Sequence, residues 1–195
     1  MNARSKILIL ALIQAGTMLA WAGHHERLWR SAPTFRIALA PVDPYDALRG
    51  RYFILNPQGA AIGTDLPNQN ALLSASACKA FLGSENSFRG KAQIGFCPAG
   101  PIRKICALAR SDRPTPSRTG VLWASGQLVL SKWGDSRYNG NVDLGLDRFF
   151  IPNRAELPAR QNAPGWELEV VHRPGQMLLA KRLWFGGKPV DFSSP

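Results

Sequence analysis

The sequence predicts a mainly β body, a small antiparallel barrel or sandwich with one to three short helices, preceded by an N-terminal transmembrane helix. Three observations lead there. Gly 18 and Pro 15 are spread along all 195 residues, which is the punctuation of many short elements joined by turns. Several short runs carry an apolar residue at every second position, the period of a half-buried strand. One uncharged apolar run, Ile7 to Gly23, stands near the N-terminus.

That run reads ILILALIQAGTMLAWAG, and Gln14 and Thr17 are its only polar side chains. As a helix it covers about 25 Å, the short end of a bilayer span. Arg4 and Lys6 precede it as a basic leader, and Trp21 and Trp29 flank its far end, where amphipathic rings favour the lipid–water interface. A retained signal anchor is the favoured reading. A cleaved signal peptide competes, because Ala20-Trp21-Ala22 has the small-x-small pattern of a cut after Ala22. A buried helix of a soluble core fits least, given the uniform apolarity and the basic leader. Arg27, Arg30 and Arg36 follow the span, so the charge bias is two-sided. Long C-terminal domains translocate regardless of that bias. The expected placement is a bacterial inner membrane, single-pass, with the body on the periplasmic, extracytoplasmic side. Residues 1–30 are read as anchor and flank, and 31–195 as one β domain, a length that can bury its own core.

Within the body, Phe35, Ile37 and Leu39 alternate with Arg36, Ala38 and Ala40 as a strand that Pro41 ends. Asp43 to Gly50 reads as one helical turn. Asp43 can cap it, Pro44 fits the first position, where no N–H is needed, and Gly50 fits the exit. Arg51 to Asn56 resumes as a strand, with Tyr52 and Ile54 on one face and Phe53 and Leu55 on the other. Residues 57–70 read as a loop and 71–82 as a helix stopped by Gly83. Ala92, Ile94 and Phe96 alternate; the chain turns at 97–101 and returns over 102–110. A loop over 111–119 leads to one long or two short strands marked by Val121, Trp123, Leu128 and Leu130. Residues 131–145 read as a polar loop, 149–151 as an apolar run, and 153–161 as another short helix. Trp166, Leu168 and Val170 alternate, Arg173-Pro174-Gly175 suits a type II turn, and Met177, Leu179, Lys181, Leu183 and Phe185 take the odd positions of a partner strand. This terminal hairpin is the clearest β signal, and no internal repeat is visible.

The formal net charge is +11 and the pI about 10.3, a surface that attracts anions or simply repels its own copies. The cations are scattered, with no run of five or six, which argues against nucleic acid and against a polybasic lipid motif. Cys78, Cys97 and Cys106 form no C-x-x-C pair and have no histidine at finger-like spacing, so no zinc site is expected. Outside the cytoplasm they allow one disulfide and one free thiol, with three pairings open, and three ordinary buried thiols are the equal alternative. Asp43 and Asp46 share a side of a helical turn, as acid–base carboxylates would, yet capping accounts for both. His24 and His25 read as a juxtamembrane flank, and His172 as a solvated histidine beside a turn. Ser74, Ser76, Ser125 and Ser131, with Lys91, Lys104 and Lys132, are candidates for a Ser/Lys hydrolase, and none has a diagnostic setting. There is no P-loop and no G-x-S-x-G. No catalytic residue, metal ligand or cofactor is assigned.

Together these pieces resemble the GDYXXLXY family, known by its motif and not by a reaction. The residues that carry the resemblance are the apolar segment and Ala40-Pro41-Val42-Asp43-Pro44-Tyr45-Asp46-Ala47-Leu48-Arg49-Gly50, similar to the family's V-D-P-x-D-x-L-R-G. The name-giving motif falls at Gly50-Arg51-Tyr52-Phe53-Ile54-Leu55-Asn56-Pro57. Gly50, Tyr52 and Leu55 match; Arg51 stands where the family has Asp, and Pro57 where it has its last Tyr. Asp147-Arg148-Phe149-Phe150-Ile151-Pro152 is similar to the family's second block, and Gly187-Lys188-Pro189-Val190 to its ending. Residues 60–118 match least.

The resemblance implies a membrane-anchored extracytoplasmic β domain associated with a polytopic membrane protein. It implies no reaction, and Arg51 removes any role for an acid there. The motif residues Asp43, Pro44, Asp46, Leu48, Gly50, Tyr52, Leu55, Phe149, Phe150 and Pro152 are then structural or partner-binding. The expected role is an accessory or binding subunit of an integral membrane protein. The alternatives are an anchored Ser/Lys-type hydrolase and an exported basic module that binds anionic lipid or polymer, with a steep salt dependence.

Overall fold

The computed structural model describes residues 3–40, 52–63, 73, 75–112, 119–134, 137–152, 157–160 and 163–192. It divides into two units, Met1–Pro33 and Thr34–Pro195. The first is helix α1, Ala3–Ser31. The most apolar 18-residue stretch of its candidate membrane span, Ser5–Ser31, has mean hydropathy 1.6, and none of that stretch is buried against protein. The Thr17 hydroxyl inside it is satisfied locally, donating to the Ile13 carbonyl at 2.6 Å. An apolar helix without a protein core is what a bilayer solvates.

The second unit is mainly β. Its strands are β1 (Thr34–Ala38), β2 (Tyr52–Ile54), β3 (Ala61–Gly63), β4 (Ser87–Ala99), β5 (Ile102–Arg110), β6 (Leu122–Trp133), β7 (Arg137–Asp143), β8 (Arg148–Phe150), β9 (Trp166–Val171), β10 (Leu179–Phe185) and β11 (Lys188–Pro189). Helix α2 spans Ala75–Leu82. Nine strands form one sheet in the order β11-β10-β9-β1-β5-β4-β6-β7-β3, curled into a half-barrel, and β2 pairs with β8 separately. The pairing is antiparallel except at β1–β5, where Ile37 faces Arg103.

The two-residue period builds the core. Ala92, Ile94 and Phe96 of β4 and Ala124, Leu128 and Leu130 of β6 point inward and are at most 1% exposed. Leu168, Val170 and Leu183 complete the same face from β9 and β10. The expected strands over 35–39, 102–110 and 166–170 are present, as is the strand character around Val121 to Leu130.

Two expected loops contain strands. Residues 131–145 hold the end of β6 and all of β7. Tyr138 and Val142 turn inward, but Arg137, Asn139, Asn141 and Asp143 face out, so polar composition masks the alternation. Gly140 is required there, because a methyl group on it would collide with the Val129 carbonyl. Residues 57–70 contain β3, a three-residue edge strand that contributes one buried side chain, Ile62. The expected helix over 71–82 is present from Ala75. Of the expected helix over 153–161, the described residues 157–160 are not helical. The turn over 43–50 lies outside the described residues.

The terminal hairpin is present, but its register is broken. A bulge between Ala180 and Arg182 puts Ala180, Leu183 and Phe185 inward and turns Lys181 toward the outer face, where its Nζ lies 3.3 Å from Glu169. The segment 172–178 then crosses to β6. Ser125 N donates to Gln176 O at 3.0 Å, the Ser125 hydroxyl donates to Gly175 O at 3.1 Å, and His172 Nε2 donates to Trp123 O at 2.8 Å. These bonds take up the stretch of β6 beyond its pairing with β7 and close one end of the half-barrel.

Cys97 and Cys106 form a disulfide with Cα atoms 5.8 Å apart. The β4–β5 register explains the pairing. Gly95 faces Ala107 and Phe96 faces Ile105, so Cys106 is the extra residue of a bulge. Gly95 makes room for it: a Cβ there would come within 2.9 Å of the Ala107 methyl. Cys78 is left as a fully buried thiol, and burial raises its pKa above the ordinary value, so its reactive thiolate is disfavoured.

Candidate functional site

Two places on the β unit gather the residues that sequence and chemistry single out. The first is the β2–β8 ribbon. Tyr52 faces Phe150, Phe53 faces Phe149 and Ile54 faces Arg148. The name-giving motif and the second block, nearly a hundred residues apart in sequence, are therefore antiparallel partners. Main-chain bonds extend the join: Leu55 N donates to Asp147 O at 3.0 Å, Ala40 N to Asn56 O at 2.7 Å, and Gln58 N to Ala38 O at 2.9 Å.

The ribbon has a buried and an open face. Phe53 and Leu55 are 2% and 6% exposed, and Phe53 meets Trp166 edge to face at 4.6 Å. Trp166 in turn contacts Phe185 at 4.9 Å and donates its indole N–H to Arg160 O at 2.9 Å. Phe149 is half-buried against Phe192, whereas Phe150 is 80% exposed, the most open large apolar side chain of the described body. Pro152 is exposed at the end of the block. Of the residues expected to matter, the structure thus joins Tyr52, Leu55, Phe149 and Phe150. Asp43, Pro44, Asp46, Leu48 and Gly50 lie outside the described residues.

The second place is a notch of about 340 Å³ on the outer face, lined among others by Thr34, Arg36, Arg103, Glu169 and Trp184. Arg36 pairs with Glu167 at 3.0 Å and lies over the Trp184 ring at 4.5 Å. The Trp184 indole donates to Glu169 at 3.1 Å. Burial pushes the Glu169 carboxyl up. Bonds from Trp184, Lys181 and Thr34, together with the Lys181 charge, outweigh that and hold it below the ordinary glutamate value. Arg103 donates to the Phe96 and Gly120 carbonyls at 3.1 and 2.7 Å. Arg36, Arg103 and Glu169, the charged groups lining the notch, are each thus committed to a neighbour.

The sequence reading missed this cluster. Its signal was present in Trp166-Glu167-Leu168-Glu169-Val170, where the inward apolar positions leave two glutamates side by side on the outer face. His172 corrects an expectation: it is 6% exposed and bonded to a carbonyl, not solvated. Ser125, one of the serines weighed as a nucleophile, accepts from Gln93 at 3.1 Å and gives its proton to Gly175 O, so its hydroxyl serves the closure of the half-barrel. Among the described residues, no three His, Cys, Asp or Glu side chains converge as metal ligands would.

No curated protein and no solved structure matches the chain. The model of one family does, described as GDYXXLXY protein, over residues 14–179. That match takes in most of α1, both strands of the motif ribbon and the body as far as the start of β10. The chain belongs to the GDYXXLXY protein family.

Proposed function

We propose that this chain is a membrane-anchored, extracytoplasmic accessory subunit that works by binding an integral membrane protein through the β2–β8 ribbon. The observation that carries the proposal is the ribbon itself. It brings the two motif blocks together and leaves Phe150 80% exposed between the half-buried Phe149 and the buried Ile151. A large aromatic held open on a rigid element is the usual anchor of a protein interface. The outward side supports the same reading. The body carries a disulfide between Cys97 and Cys106, and such bonds persist in oxidising compartments. The unburied apolar helix supplies the anchor.

The test is affinity purification of a C-terminally tagged chain from gently solubilised membranes of its own host, with quantitative mass spectrometry. A polytopic protein in near-equal amount is expected, and Phe150→Asp is expected to reduce its recovery at least tenfold while the chain stays folded. Purification of the wild-type chain alone would refute the proposal.

A further inference from the structure

We propose that the outer face of β4, β6 and β7 is a binding strip for an acidic polysaccharide. Strand register assembles it. Arg89 faces Val129, which faces Asn141; Lys91 faces Gln127; Ser131 faces Asn139. These are the outward positions, alternating with the inward Ala92, Leu128, Leu130 and Val142. Trp133 ends the strip and is 70% exposed. Six positions separate Gln127 from Trp133, about 20 Å of strand, and two strand spacings separate β4 from β7, about 10 Å. Beyond β7 the rows run onto Ala61 and Gly63 of β3, which are too small to wall the strip off. An open, flat face of this length suits a chain and not a compact ligand.

The outer surface of the sheet has two halves of different character. On β1, β9 and β10 the charges are matched: Arg36 pairs with Glu167, and Lys181 with Glu169. On β4, β6 and β7 they are not. Arg89 and Lys91 are exposed, and their side chains make no ion pair or hydrogen bond with any described residue; the same holds for the side chains of Gln127, Asn139 and Asn141. The acids nearby are already engaged. Asp143 accepts the Gly145 N–H at 2.7 Å, and Glu85 pairs with Arg110 at 2.8 Å. Two unmatched cations about 7 Å apart on one strand attract a chain that carries acid groups. Each of the three amides sets a donor beside an acceptor, which complements sugar hydroxyls, themselves both donor and acceptor. The open indole of Trp133 offers a flat apolar ring and an N–H to the C–H face of a sugar. Single-stranded nucleic acid instead calls for successive aromatic platforms under its bases, and the described strip has one.

The experiment is affinity electrophoresis of the full chain in non-ionic detergent, through gels containing alginate, a phosphomannan or neutral dextran. Retention by an acidic polysaccharide and not by dextran is expected, and the two acidic gels separate carboxylate from phosphate as the acid recognised. Arg89→Ala with Lys91→Ala is expected to weaken retention at least tenfold. Arg182→Ala with Lys188→Ala removes the same charge from exposed positions elsewhere and is expected to change it less than twofold. Trp133→Ala removes no charge and is expected to weaken it severalfold; Asn141→Ala takes its place if circular dichroism shows that Trp133→Ala misfolds. Passage of the wild-type chain through both acidic gels, equal losses in the two double variants, or full retention of the Trp133→Ala chain would each overturn the proposal. Oligothymidylate held as tightly as the polysaccharides would assign the strip to nucleic acid and overturn it as well. The assay contains no partner protein, so its outcome is independent of the β2–β8 ribbon.

Discussion

Phe53 lies edge-on to Trp166 with ring centroids 4.6 Å apart, and this contact ties the family motif to the sheet. The motif strand β2 belongs to a ribbon outside the nine-stranded sheet. Its attachment therefore depends on side chains and on a few main-chain bonds. Phe53 and Leu55 enter the common core, while Leu39, beside them, donates its N–H to the Trp166 carbonyl at 2.9 Å. Motif conformation and core packing are one problem in this protein.

Phe53→Ala is expected to lower stability by about 3–5 kcal/mol, the cost of emptying a packed aromatic site. Chemical denaturation with tryptophan fluorescence measures it, since Trp166 loses its neighbour. Trp166→Phe keeps most of the volume but leaves the Arg160 carbonyl without its donor, and a smaller loss of about 1–2 kcal/mol is expected. A Phe53→Ala loss below that of Trp166→Phe would show that the ribbon is only loosely attached.

The disulfide closes a short segment, Cys97 and Cys106 being nine positions apart. Loop-closure entropy for a loop of that size is about 2.5 kcal/mol. The Cys97→Ser, Cys106→Ser pair is expected to unfold at lower denaturant by that amount, with an unchanged fold by circular dichroism. The Cys78→Ser variant should show a different signature: its thiol is buried in the core, so the change introduces an unpartnered hydroxyl there and no change in cross-linking.

Glu169 sets a pH dependence. Its folded pKa lies below its ordinary value of 4.5. The sign follows from linkage: a depressed carboxyl contributes stability that is fully present above the unfolded pKa and is lost as pH falls through the folded one. Glu169→Gln is expected to cost about 1–2 kcal/mol at neutral pH through weaker bonds to Lys181 and Trp184. The gap between wild type and variant should narrow steadily below about pH 4.5. Thermal unfolding across a pH series measures it, and a gap independent of pH would show that the carboxylate charge contributes nothing.

Legibility in the sequence followed side-chain periodicity. Phe35-Ile37-Leu39 and Trp166-Leu168-Val170 announce their strands because one face is apolar and the other is not. Strand β7 escaped because Asn139, Gly140 and Asn141 interrupt its two inward residues, and β3 because three residues cannot show a period. The Lys181 bulge escaped because the odd positions from 177 to 185 look unbroken until pairing with β9 is known. The pairing of Cys97 with Cys106 depended on a one-residue bulge that no local pattern reveals. The two motif blocks could be recognised, but their meeting in one ribbon is a long-range contact. The Glu169–Trp184–Arg36 cluster is likewise assembled from strands far apart in sequence.

The most direct test of the account combines location and oxidation state in one measurement. Cells expressing the full chain are quenched in acid, denatured and alkylated, and the membrane fraction is analysed by mass spectrometry without reduction. The account predicts a membrane-bound chain that retains Ile7 to Gly23, carries the Cys97–Cys106 bond and is alkylated at Cys78 only. A membrane-bound chain alkylated at all three cysteines would place the body in a reducing compartment and contradict the extracytoplasmic assignment.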